Sequence, residues 1–63
     1  MANHLLLLKN TLLDWKNEKA YQEKILNDDS ASREEKDYAR KRIAEAEYYI
    51  GKITEELEKG KTL

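Results

Sequence analysis

A chain of 63 residues with no Cys, and with 12 Lys and Arg against 13 Asp and Glu, is one domain at most and must be held by packing alone or by packing plus oligomerisation. Neither a disulfide framework nor a thiolate metal site is open to it, and no basic excess marks it as a dedicated binder of nucleic acid or anionic membrane. Residues 1–29 carry 4 basic and 5 acidic side chains, a net of −1, and residues 30–63 carry 8 of each, so neither half is a charged tail.

Composition favours helix throughout. Pro and Val are absent, Gly occurs only at Gly51 and Gly60, and Lys, Glu, Ala, Leu and Arg dominate. The longest apolar run, Leu5-Leu6-Leu7-Leu8, is much too short for a membrane span or a secretory leader, so a cytoplasmic protein with no membrane contact is expected.

The first helix is predicted over residues 3–28, with Asn3 as its cap. Leu5, Leu8, Leu12 and Trp15 follow the alternating three-and-four spacing of a helical seam, which then turns polar at Lys19 and Gln22 before recovering at Leu26. The stretch 27–32, Asn-Asp-Asp-Ser-Ala-Ser, is the one cluster of turn formers and places a turn at about 28–32. Ser32-Arg33-Glu34-Glu35 then reads as a capping box, with Glu34, Glu35 and Asp37 adding negative charge at the positive end of the helix dipole.

The second helix is predicted over residues 33–59 with a more regular seam, Ala39, Ile43, Ala46, Ile50, Ile53 and Leu57, and with Gly60 as its stop. Four-residue spacings pair Asp37 with Lys41, Lys41 with Glu45, Lys52 with Glu56 and Glu55 with Lys59 along its outer side. Folded back about residue 30, the seams bring Trp15 opposite Ala44 and Ala46, Leu12 and Leu8 opposite Ile50 and Ile53, and Leu5 opposite Leu57. Lys19 and Gln22 then face Ala39 and Lys36, which predicts a looser, wetter turn end. The fold expected is all-α, an antiparallel two-helix hairpin of coiled-coil type.

Helix one has more apolar surface than helix two can cover. At about 100° per residue, Leu6, Leu13 and Ala20 line one flank of its seam, and Leu7, Tyr21 and Ile25 the other. Covering Leu6, Leu7 and Leu13 is worth roughly 2 kcal/mol each, a large sum for so short a chain. A homodimer or higher oligomer is therefore expected, two hairpins about a twofold axis forming a four-helix bundle. Its interface is drawn from Leu5, Leu6, Leu7, Leu8, Leu12, Leu13, Trp15 and Ala20.

No residue constellation suggests catalysis, a cofactor or a metal. His4 is the single imidazole and lacks the Glu three residues earlier that di-iron bundles use. Asp28-Asp29-Ser30 does not continue into a calcium loop with its Gly and terminal Glu. Glu45 and Glu47 occupy exposed helix positions where nothing suggests a pocket. Arg40, Lys41 and Arg42 spread over about 200° of helix, with Asp37, Glu45 and Glu47 in reach to neutralise them. They could serve nucleic acid only if dimerisation doubled the patch. Tyr38 and Tyr49 share a flank and suit an interface edge; Tyr48, nearly opposite the seam, suits an anchor for a protein partner.

In size and hairpin architecture the chain resembles the small aspartyl-phosphate phosphatases of spore-forming bacteria. Their Ser-Gln-Glu-Leu-Asp signature is replaced here by Ser32-Arg33-Glu34-Glu35-Lys36, so no residue role carries over. The function expected is that of a non-enzymatic interaction protein that binds itself and a protein partner as adaptor, inhibitor or regulator. The alternative is a nucleic-acid accessory protein.

Overall fold

The computed structural model describes residues 2–62, with side chains from His4 to Gly60. It contains two helices, α1 (Ala2–Leu26) and α2 (Arg33–Thr62), packed against each other as an antiparallel hairpin. The antiparallel sense follows from the cross-helix pairs: Leu5 lies against Gly60, Trp15 against Tyr49 and Glu18 against Arg42. The hairpin is a rod of 47 × 15 × 13 Å with a radius of gyration of 14.5 Å. A compact domain of this length would have about 10–11 Å, so the shape itself limits how much surface the chain can bury.

The break between helices is built from hydrogen bonds local to the turn. The amide of Asn27 donates to the carbonyl of Glu23 at 3.1 Å, and that of Asp28 donates one residue short, to Ile25, tightening the last turn of α1. The Asp28 carboxylate then accepts from both the amide (2.9 Å) and the hydroxyl (2.7 Å) of Ser30, and the Ala31 amide closes the turn onto the Asp28 carbonyl. These two bonds from Ser30, hydroxyl first, hold the Asp28 carboxyl below its ordinary range. The helix stops at Leu26, two residues before the expected end, because Asp28 serves the turn instead of the ladder.

The capping box forms as expected. The Glu35 amide donates to Ser32 Oγ at 3.1 Å, while the Ser32 amide donates to Glu35 Oε1 at 3.0 Å. At the other end α2 does not stop at Gly60 but runs on to Thr62. No glycine takes a positive φ among the described residues, so Gly60 is not a left-handed cap; it lies where Leu5 crosses, and a Cβ there would stand 3.2 Å from Leu5 Cδ2. Asn3 sits inside α1 rather than before it, and its side chain lies outside those described, as does Leu63.

The seam of α2 faces α1 along its whole length. Ala39, Ala46 and Ile53 are buried, and Ile43, Ile50 and Leu57 half-buried. On α1, Leu8, Leu12, Trp15, Lys19 and Leu26 are half-buried and Gln22 is buried, while Leu5 is slightly more open. The turn end is not the looser one. Gln22, Ala39 and Ala46, three of the four buried residues among those described, all lie in the half nearer the turn. No large side chain is fully buried among the described residues.

Candidate interaction surfaces

Two surfaces emerge from this packing. The first is the outer side of α1. Leu6, Leu7 and Leu13 remain 57%, 63% and 56% exposed, and Ala20 and Tyr21 are exposed on the same outer side. Leu8, Leu12 and Trp15, also expected to share in an oligomer interface, are half-buried on the side of α1 that meets α2. A face of several large leucines in water is the feature that marks binding surfaces on small soluble proteins.

The second surface is a ladder of rings and cations on the flank where the helices meet. The Trp15 indole stacks on the Tyr49 ring with centroids 4.9 Å apart and planes 21° from parallel. Tyr48 meets Tyr49 edge-on at 5.2 Å and 80°. The Arg42 guanidinium carbon lies 5.4 Å from the Trp15 ring centroid, and Lys52 Nζ lies 5.6 Å from that of Tyr48. The order along the ladder is therefore Arg42, Trp15, Tyr49, Tyr48, Lys52. Trp15 stands across from the part of α2 around Ala46, where the matched seams would put it. It engages Arg42 and Tyr49, two turns apart on α2 with buried Ala46 between them, and Ala44 is exposed.

Arg42 is the hub of this flank. Its Nε donates to Glu18 Oε1 on α1 at 3.2 Å, and a second guanidinium nitrogen reaches Glu45 at 3.5 Å. Glu18 also accepts from Gln22 Nε2 at 2.7 Å. The Gln22 bond and then the Arg42 bond hold the Glu18 carboxyl below its ordinary range, and the Glu18 bond raises that of Arg42. Lys19 and Glu47 add a second cross-helix ion pair at 3.3 Å. The reach of Glu18 and Glu47 across the groove has no signal in the spacing of either helix alone.

These contacts divide the expected basic cluster. Arg40 pairs with Asp37 at 2.9 Å, Lys41 points to solvent, and Arg42 lies in the groove between helices. The spacing that would pair Lys41 with Asp37 or Glu45 loses to the Arg residues on either side of it. Glu55 and Lys59 do meet, at 3.7 Å, while Lys52 lies over Tyr48. Tyr38 and Tyr48 are both exposed, Tyr49 less so because Trp15 covers one face of its ring.

Among the described residues there is no enclosed cavity and no convergence of three His, Asp or Glu side chains on a cation position. No helix is long and apolar enough to cross a membrane. Compared with family models, curated proteins and solved structures, the chain matches none. Its function must be argued from its own surfaces.

Proposed function

We propose that this hairpin is a non-enzymatic, self-associating protein-interaction module, an adaptor or inhibitor that assembles through α1 and presents the Tyr48–Tyr49 flank to a protein partner. The observation that carries the reading is the exposure of Leu6, Leu7 and Leu13 on a chain whose buried apolar residues, among those described, are Ala39, Ala46 and Ile53. Each leucine is more than half exposed, so covering it contributes roughly 1 kcal/mol and the three together about 3–4. For a two-helix chain with marginal stability of its own, a second hairpin is the simplest cover. The ladder supports the partner-binding half of the reading, because stacked rings present large area that loses little entropy on binding.

The nucleic-acid alternative draws no support from the basic cluster, since Arg42 is committed to Glu18, Glu45 and Trp15. Light scattering across a wide concentration range tests the self-association. A mass near twice 7.4 kDa is expected, falling to a single chain in the Leu6→Ser/Leu13→Ser variant. A wild-type mass of 7.4 kDa at several hundred micromolar would remove the proposal.

A further inference from the structure

The outer side of α1 carries a second seam, distinct from the one that meets α2. Leu6, Asn10, Leu13, Asn17, Ala20 and Lys24 follow one another at intervals of four and three, and all are exposed. At about 100° per residue this row lies roughly 150° around α1 from the row that faces α2. Its leucines and alanine repeat at seven-residue intervals, and so do its asparagines, a row that the sequence extends back to Asn3. This is the layout of a coiled-coil stripe with apolar residues at one core position and Asn at the other.

We infer that a second copy of this chain covers the row, with the two α1 helices parallel and in register about a twofold axis along the rod. The reading rests on the self-association proposed above and gives it a geometry. Two features favour parallel pairing. Asn at the core position next to the leucines pairs with its own counterpart across a parallel two-stranded seam, and there it specifies register and strand number at some loss of stability. The charges flanking the row also match. Lys9 and Lys16 lie along one edge, Leu7, Asp14 and Tyr21 along the other, and Lys9, Lys16 and Asp14 make no ion pair within the chain among the described residues.

In the parallel arrangement each residue on the first edge meets the residue five further along on the second edge of the other copy. Lys9 then faces Asp14, and Lys16 faces the ring of Tyr21, twice each by symmetry. An antiparallel arrangement would run each edge against itself, bringing the Lys9–Lys16 edge against its own copy and Asp14 near Asp14 or Leu7. Opposite charges select the first. Because the new row is nearly opposite the old seam, the assembly is a flat layer in the order α2, α1, α1, α2 rather than a square bundle. With Asn at alternate layers and only three apolar ones, the dimer is weak, on the order of micromolar.

The absence of Cys makes the geometry directly testable by single thiols. Asn10→Cys and Asn17→Cys, each oxidised in a glutathione buffer, should each crosslink to itself in good yield, since a disulfide needs Cα atoms about 4.4–6.8 Å apart. In an equal mixture, one variant lengthened by a tag, self-crosslinked dimers should exceed mixed ones by roughly tenfold, because the two sites are about 10 Å apart along the helix. Predominance of the mixed species means antiparallel helices and overturns the inference. A dimer by scattering that crosslinks at neither position overturns it too, yet leaves the self-association reading standing; a monomer overturns both. Without any thiol, Lys9→Glu should weaken the dimer about tenfold and Lys9→Glu/Asp14→Lys should restore it. Failure of the restoration would count against the parallel register.

Discussion

At the residue scale the costliest feature is a buried polar side chain in the seam of α1. Gln22 is only 4% exposed, and although its amide nitrogen donates to Glu18, its carbonyl oxygen has no partner among the described residues. A buried acceptor without a donor costs about 1–3 kcal/mol. Leu has a similar volume and would occupy the same buried position without that penalty. The Gln22→Leu variant gives up one bond to a carboxylate that retains Arg42, so the balance favours the substitution. Its expected outcome is a stabilisation of about 1 kcal/mol, a rise in Tm of roughly 4–8 °C for a chain of this size. A drop in Tm would mean that the bond to Glu18, rather than the orphaned oxygen, sets the energetics here. With Lys19 one turn earlier, Gln22 makes the α2-facing row of α1 polar for two successive positions, and polar core positions are a known way of fixing helix register.

Each helix is legible to the extent that its chemistry is local or periodic. The turn and the capping box are short-range arrangements whose donors and acceptors lie within four residues of one another, so the run from Asp28 to Glu35 states them outright. The α2 seam is equally plain because its spacing holds from Ala39 to Leu57. What the spacing does not contain is the rotation that brings one helix's flank over the other's. That rotation places Trp15 against Tyr49 and turns Arg42 out of the basic cluster. Gly60 reads as a stop because glycine so often takes the left-handed cap, yet here it remains helical and gives Leu5 room. The two glycines of α2 should therefore respond differently to a methyl group. Gly51 is exposed in mid-helix, and a methyl group added there would meet nothing within 4 Å, so Gly51→Ala should stabilise by about 0.8–1 kcal/mol through helix propensity. At Gly60 the same change must displace Leu5 by a few tenths of an ångström, so its gain should be smaller; thermal melts of the two variants decide the order. An equal gain at both would show that Leu5 does not press on Gly60.

For the whole molecule the governing quantity is how little a two-helix rod can hide. Ala39 and Ala46 contribute small areas, Ile53 is the one larger apolar residue counted as buried among those described, and the apolar bulk of α1 at the end away from the turn stands in water. Folding and association are therefore expected to be coupled, with the second copy supplying cover that the chain lacks. For a folded dimer in equilibrium with two unfolded chains, a hundredfold rise in concentration stabilises the assembly by about 2.7 kcal/mol. Spread over two chains of this length, whose unfolding entropy is about 2.1 cal/mol/K per residue, that amounts to roughly 10 °C in Tm. Circular-dichroism melts at 5 and 500 µM, concentrations chosen on the order of the expected dimer affinity, would register such a shift easily. Leu13→Glu sets a charge in the middle of the outer row while leaving the α2-facing seam untouched, so its melts should coincide at the two concentrations and lie at or below the lower wild-type value. Coincident wild-type melts would instead show that the hairpin's own thin core suffices, and the exposed leucines would then need a different protein to explain them.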